Sequence, residues 1–194
     1  MTSRSVAVVP AAGFAERFGS DKLLVKVGER PMIEATVRSL LEGGVKRIVV
    51  VVPPDSDALR AALTGMGMDS VEVTTNRARE RGMFSSIQAG VREAHGDPIL
   101  VLPGDQPWVE PATVAALLAR YEQEPAIVSP RFNGKRGHPV VIPSRYRAEI
   151  LGAADGVTLH DILKAHAGER VDMDVYDRGV VRDVDVPGDL GETP

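Results

Sequence analysis

The sequence predicts an α/β protein: a three-layer, doubly wound, mostly parallel sheet with helices on both faces and a late antiparallel hairpin. Three observations predict it. Residues 6–9, 45–52 and 98–102 are apolar runs rich in valine, isoleucine and leucine, broken only by Lys46 and Arg47 near the start of the second, the pattern of strands covered on both faces. Segments with apolar residues at helical spacing lie between the runs, as crossover helices require. Each run stops abruptly at small residues, proline or aspartate, so each strand feeds a loop and then a helix. At 194 residues the chain is long enough for one well-buried domain and short for two, so residues 1–194 are read as a single domain.

The elements follow in order. Residues 6–9 form the first strand, ending at Pro10, Ala11, Ala12 and Gly13. A short extended piece over 23–27 turns at Gly28, and Pro31 suits the first turn of a helix with Ile33, Val37, Leu40 and Leu41 as its stripe. Gly43 and Gly44 stop it, and the strand over 45–52 follows. Asp55 is placed to cap a helix that buries Leu59, Ala62, Leu63 and Met66. A strand over 71–74, a charged loop over 77–81, and a helix carrying Ile87, Val91 and Ala94 come next. The strand over 98–102 leads to Gly104-Asp105-Gln106-Pro107, and Pro111 opens a helix with Val114, Leu117, Leu118 and Tyr121. Strands over 126–129 and 139–142 flank a polar turn, and Ser144 and Thr158 cap two short helices. Residues 170–176 and 180–184 around Asp177-Arg178-Gly179 read as a hairpin. In a doubly wound sheet the loops after Val9, Thr74, Leu102 and Val184 converge outside the carboxyl ends of the strands.

Composition narrows the function classes. The net charge of −4, with no basic stripe, argues against a nucleic-acid backbone as the partner. There is no cysteine, hence no disulfide framework, thiolate nucleophile or zinc ribbon, which fits the cytoplasm. The N-terminus enters a strand directly and no apolar run is long enough to span a bilayer, so the chain is read as unprocessed and without a membrane partner.

Small residues at Ala11, Ala12 and Gly13 let backbone amides approach a ligand closely, and Arg17 and Lys22 follow as the two cations of the stretch. This suits a phosphate cradle. The alternative is an ordinary turn with two solvated cations. The loop is neither the dinucleotide fingerprint nor a Walker loop. Asp105, at a strand terminus beside such a loop, suits a Mg²⁺ ligand, since Mg²⁺ takes one or two carboxylates plus phosphate oxygens. The alternative for Asp105 is a turn before Pro107. Asp183 and Asp185 share one face of a strand, with an exposed edge or a helix cap as the other reading. Ser86 at a helix start is otherwise an N-cap, Asn76 a loop residue, and His138 a structural or exposed histidine.

The motif A-A-G-x-x-x-R-x-G-x-x-K-L, on Ala11, Ala12, Gly13, Arg17, Gly19 and Lys22, resembles the signature loop of the molybdenum cofactor cytidylyltransferase and guanylyltransferase family of nucleotidyltransferases. G-D-Q-P at Asp105 is similar to the second motif of that family, and Asp183-Val184-Asp185-Val186-Pro187 to its terminal one. The resemblance covers residues 6–190 and implies a Rossmann-like fold of the nucleotide-diphospho-sugar transferase kind. It implies that Ala11, Ala12, Gly13, Arg17 and Lys22 wrap the triphosphate, that Asp105 and Asp185 hold Mg²⁺, and that Asn76, Gly82 and Ser86 reach the nucleotide base. Arg17, Lys22 and Asp105 would be the catalytic set. Arg136, Gly137 and His138, in R-G-H-P, match a segment on the acceptor side.

The implied reaction moves CMP from CTP onto the terminal phosphate of molybdenum-bearing molybdopterin, with a molybdoenzyme or its chaperone as a protein partner. Ala-Ala-Gly, rather than Ala-Gly-Gly, is more like the cytidylyl branch, because the extra methyl at Ala12 narrows the space near the base. Pro10, Ala15 and Phe18 depart from the usual pattern. A phosphomonoester acceptor is already ionised near neutral pH, so the lack of an obvious base is coherent with this chemistry. The alternatives are a transferase using GTP or another phosphorylated acceptor, and a non-catalytic nucleotide- or cofactor-binding chaperone.

Overall fold

Two of the valine-rich runs become the centre of the sheet. The computed structural model describes residues 4–13, 22–184 and 188–189. Its strands are β1 (Val6–Pro10), β2 (Lys26–Val27), β3 (Arg30–Pro31), β4 (Arg47–Val52), β5 (Val71–Thr75), β6 (Ile99–Val101), β7 (Ile127–Phe132), β8 (Lys135–Arg136), β9 (Val140–Ile142) and β10 (Arg170–Asp174). The α-helices are α1 (Met32–Glu42), α2 (Asp57–Gly65), α3 (Met83–Glu93), α4 (Pro111–Gln123), α5 (Arg147–Gly152) and α6 (Leu159–Ala165). The main sheet runs β10-β7-β9-β6-β1-β4-β5, with β8 paired to β7 and β2-β3 forming a separate ribbon.

β1, β4, β5 and β6 are mutually parallel, and β9 is the antiparallel insertion between β6 and β7. The chain winds outward from β1 to β4 and β5, then returns to place β6 on the other side of β1. The order of the strands therefore reverses at β1/β6, which opens a crevice at their carboxyl ends. Both faces are sealed. One cluster joins Val9, Val50 and Leu100 to Val37, Leu40 and Leu117 of α1 and α4. The other joins Val8, Val49 and Val101 to Ile87, Val91, Ile150 and Ile162 of α3, α5 and α6. Burying each such side chain contributes about 1.5–3 kcal/mol, which is why the central strands carry almost no polar residue.

The late hairpin lies earlier than the sequence reading places it. β7 turns through Asn133 (φ 47°) and Gly134 (φ 79°) into β8, with Arg131 opposite Arg136. Residues 180–184, read as the second strand of a hairpin, form no strand: a 3-10 turn covers Arg178–Val181, and β10 pairs in parallel with β7. The cause is tertiary. The buried Asp177 carboxylate accepts from the Gly179 amide at 2.7 Å and from the Glu110 amide at 2.8 Å, drawing the chain inward.

Caps differ too. Thr158 makes the expected N-cap, as a reciprocal box with Asp161. Ser56, not Asp55, sits at the N-cap of α2, and its hydroxyl donates to the Pro53 carbonyl at 2.7 Å. Gly82 replaces Ser86 at the N-cap of α3, and Ser144 opens a 3-10 turn ahead of α5.

Candidate active site

At the β1/β6 reversal, the loop after β1 and the G-D-Q-P loop touch through their backbones. The Pro10 carbonyl accepts from the Gly104 amide at 3.0 Å. A Cβ on Gly104 would lie 3.3 Å from that carbonyl and 3.2 Å from Ile33 Cδ1, so glycine lets the two loops close together. Ala11 and Ala12 are buried and Gly13 is exposed. The φ of Gly13 is not left-handed, and a Cβ there would meet nothing within 4 Å. What Gly13 supplies is open space at the loop surface.

Lys22, opening a 3-10 turn after the loop, places Nζ 2.9 Å from Asp105 Oδ2. The two side chains are 14% and 28% exposed, so the pair is only partly wetted. Asp105 Oδ1 has no partner among the described residues. The backbone of the same residue holds the C-terminal segment: the Val184 amide donates to the Asp105 carbonyl at 3.0 Å. Arg17, Gly19 and Asp185 lie outside the described residues. Gln106 is buried, and its Oε1 has no hydrogen-bond partner among the described residues. Among the described residues no group of three or more acidic or histidine side chains forms a metal cage.

Asn76 is 3% exposed and follows β5. Its Nδ2 donates to Ser85 Oγ at 2.8 Å and to Ser86 Oγ at 2.9 Å, while Oδ1 accepts from the Ala78 amide at 2.8 Å. Ser85 Oγ in turn donates toward the Ala78 and Gly82 carbonyls. Asn76 therefore fixes the whole 76–86 connection, and Ser86 is buried at the start of α3 with its oxygen engaged. Of this set, Gly82 (φ 86°) is at the surface.

Arg136, Gly137 and His138 part company. Arg136 is exposed and makes a bidentate pair with Asp172 at 2.7 and 2.8 Å. Gly137 donates its amide to the Pro130 carbonyl at 2.9 Å. His138 turns inward, with Nδ1 3.3 Å from the Val101 carbonyl. A carbonyl only accepts, so Nδ1 carries the proton and the neutral ring keeps a bare Nε2. Burial pushes the His138 pKa down, against the opposing pulls of the Val101 carbonyl, Asp105 and Asp183, with Arg170 adding to the depression.

That depression fixes a pH dependence. The unfolded chain takes up a proton on this histidine at a higher pH than the folded one, so acidification below about pH 6.5 favours unfolding. The melting temperature is expected to fall between about pH 7 and pH 5, above the range where carboxylates titrate. His138→Gln should flatten that interval, and an unchanged slope in the variant would refute the assignment.

Two features carry no sequence signal: the carboxylate bracket of Asp177, whose second partner is 67 positions away, and the burial of Arg170. Gln106 stood inside a visible motif, but nothing in the motif announces its unpartnered oxygen.

The fold is similar to that of a nucleotidyl transferase from Methanothermobacter thermautotroptrophicus. That structure superposes with a TM-score of 0.78 at 25% identity, covering 96% of this chain and 94% of the other. The chain belongs to the MobA-like NTP transferase family, whose domain profile matches residues 7–171. It is similar to a molybdenum cofactor guanylyltransferase of Shewanella halifaxensis, 31% identical over 143 residues, covering 73% of this chain and 68% of the relative. It is also similar to the nicotine blue oxidoreductase of Paenarthrobacter nicotinovorans, 30% identical over 158 residues, with 77% and 76% covered. Of the bifunctional GlmU proteins it resembles, such as that of Anaeromyxobacter sp. (strain K), it spans 26% of the length. Among the described residues no helix is long and apolar enough to cross a membrane.

Proposed function

We propose that the protein transfers CMP from CTP to the terminal phosphate of molybdenum-bearing molybdopterin and releases pyrophosphate. The observation that carries this reading is the Lys22–Asp105 pair, on the two loops that meet where the Gly104 amide donates to the Pro10 carbonyl. An acceptor phosphate oxygen attacks the α-phosphorus, the bond from that phosphorus to the bridging oxygen breaks, and pyrophosphate leaves with the electron pair. The protein's work is positioning and charge neutralisation. Lys22 offsets the triphosphate charge, together with Arg17, and the amides around Gly13 donate to phosphate oxygens. Neutral His138 offers the bare Nε2 to a donor on the acceptor, beside Gly137 and Arg136.

The donor set fits Mg²⁺. Asp105 presents an oxygen without a partner among the described residues, and an ion carried in on a triphosphate needs only one or two carboxylates from the chain, Asp105 with Asp185. When bound, the ion would draw charge from the phosphates as a Lewis acid. Asn76 keeps the base-side loop in place, with Gly82 and Ser86 at the start of α3. The similarity to a guanylyltransferase supports GTP as the second reading, whereas Ala-Ala-Gly at Ala11-Ala12-Gly13, with its extra methyl, favours CTP. A molybdoenzyme or its chaperone would receive the product.

The test is thermal stabilisation by CTP, GTP, ATP and UTP, each with and without Mg²⁺. A ligand at a hundred times its dissociation constant adds about 2.7 kcal/mol to the folded state, an easily read shift. Selective, Mg²⁺-dependent stabilisation by CTP is expected. Preference for GTP moves the guanylyl reading ahead, and no response to any nucleotide overturns the transferase proposal in favour of a cofactor-holding protein.

A further inference from the structure

On the sheet face that carries α3, α5 and α6, alternate residues of the strands point the same way. Over most of that face they are apolar: Ile99, Val101, Ile127, Val140 and Ile142. On the β7/β10 side the face turns polar. Ser129 is completely buried and Arg170 has a side chain only 8% exposed.

The charges around this corner do not cancel evenly. Arg136 is bidentate to Asp172, and Arg131 is bidentate to Asp174 at 2.7 and 2.9 Å. These two exposed pairs use up both carboxylates. Arg170, the most buried of the three arginines, donates from Nε to Ser129 Oγ at 2.9 Å. Its approach to Asp172 Oδ1 is 3.9 Å, and that oxygen is already held by Arg136. The Nη1 and Nη2 groups of Arg170 find no hydrogen-bond acceptor among the described residues.

Burial lowers the Arg170 pKa, yet a guanidinium does not give up its proton in a protein, so the charge stays inside. Its carboxylate partner, Asp172, stands 3.9 Å away and is shared with Arg136 and Arg131, so a largely buried cation is only weakly compensated and an anion from outside is the partner that relieves it. Ser129 fixes Nε and thereby leaves the end-on Nη pair, the edge that grips phosphate with two parallel hydrogen bonds. The corner adjoins the crevice: Gly137, the neighbour of His138, is bonded to the carbonyl of Pro130, the neighbour of Ser129. Arg170 and Asp105 also both act electrostatically on the His138 ring.

We propose that Arg170, oriented by Ser129, is a binding residue for the phosphomonoester of the second substrate. This rests on the transferase reading of the crevice given above. It adds a cation on the acceptor side to the Lys22 side that faces the nucleotide.

Two measurements on the full chain test it. In steady-state transfer with molybdopterin as acceptor, Arg170→Met should raise the acceptor KM about tenfold or more, the scale of one lost charge-assisted pair. The KM for the nucleotide should stay within about twofold, and Arg170→Lys should recover part of the loss because it keeps the charge. A purely structural role would move both KM values together. Separately, wild type and Arg170→Met are melted in inorganic phosphate and in chloride at equal ionic strength, without nucleotide. Phosphate should stabilise wild type more than the variant. An equal phosphate effect in both proteins, or an unchanged acceptor KM, overturns the proposal. An Arg170-dependent phosphate effect with no transfer from any nucleotide upholds the anion site and overturns the transferase reading. Should the Met variant not fold, Arg170→Lys carries the same KM comparison.

Discussion

Asp105→Asn is expected to lower nucleotidyl transfer by about 10²- to 10³-fold while leaving the fold intact, the cost typical of removing one group that stabilises transition-state charge. Asparagine keeps the shape of the side chain, and the Asp105 backbone that receives the Val184 amide is unchanged. What goes is the negative charge. Oδ1 no longer offers a hard anionic donor, and Lys22 loses its partner at 2.9 Å. The stability cost should stay at about 1 kcal/mol, because the pair is only partly buried. The measurement is single-turnover transfer beside a thermal melt. The Mg²⁺-dependent part of nucleotide stabilisation should vanish in the variant. Transfer at the wild-type rate would end the assignment of Asp105 to the metal and the reaction.

Gly137→Ala should be the most damaging small change on the acceptor side. A Cβ at Gly137 would stand 2.0 Å from the Val180 carbonyl oxygen and 2.5 Å from its carbon. These are backbone atoms of a buried residue and cannot rotate aside. The same two segments are tied by the His138 amide donating to that carbonyl at 2.8 Å, so relief means breaking a hydrogen bond. We expect a loss of about 3 kcal/mol, or a melting temperature lower by about 6–12 °C for a chain of this size. The turn over 178–181 leads directly to Val184 and hence to Asp105, so transfer should fall with stability. A melting temperature within about 2 °C of wild type would show that the turn yields more easily than its geometry implies.

The central strands were legible because a parallel sheet covered on both faces leaves little place for polar residues, and β1, β6 and all of β4 after Arg47 are written as apolar runs. The two loops of the crevice were legible for the complementary reason: strands end where small residues, Pro and Asp accumulate. The region after β9 was harder. Residues 180–184 have the composition of a strand, but Asp177 spends its carboxylate on the Glu110 amide, and no local pattern encodes a partner so far away. Asn76 could be named but not understood, since its three-way side-chain tie to Ala78, Ser85 and Ser86 appears only when the loop closes. Arg170 was silent altogether. An arginine at a strand edge is ordinarily solvated, and only the folded sheet buries this one beneath two exposed ion pairs.

The Lys22–Asp105 contact has one more consequence on the proposed reading. At rest each charge cancels the other, so occupation of the crevice is an exchange of partners rather than a simple filling. If Lys22 leaves for a phosphate and no cation follows, a partly buried carboxylate is stranded. A nucleotide that brings its own cation avoids that cost, because the cation takes the place of Lys22 beside the carboxylate. The crevice is thereby built to favour the metal-bound form of its anionic ligand over the bare one.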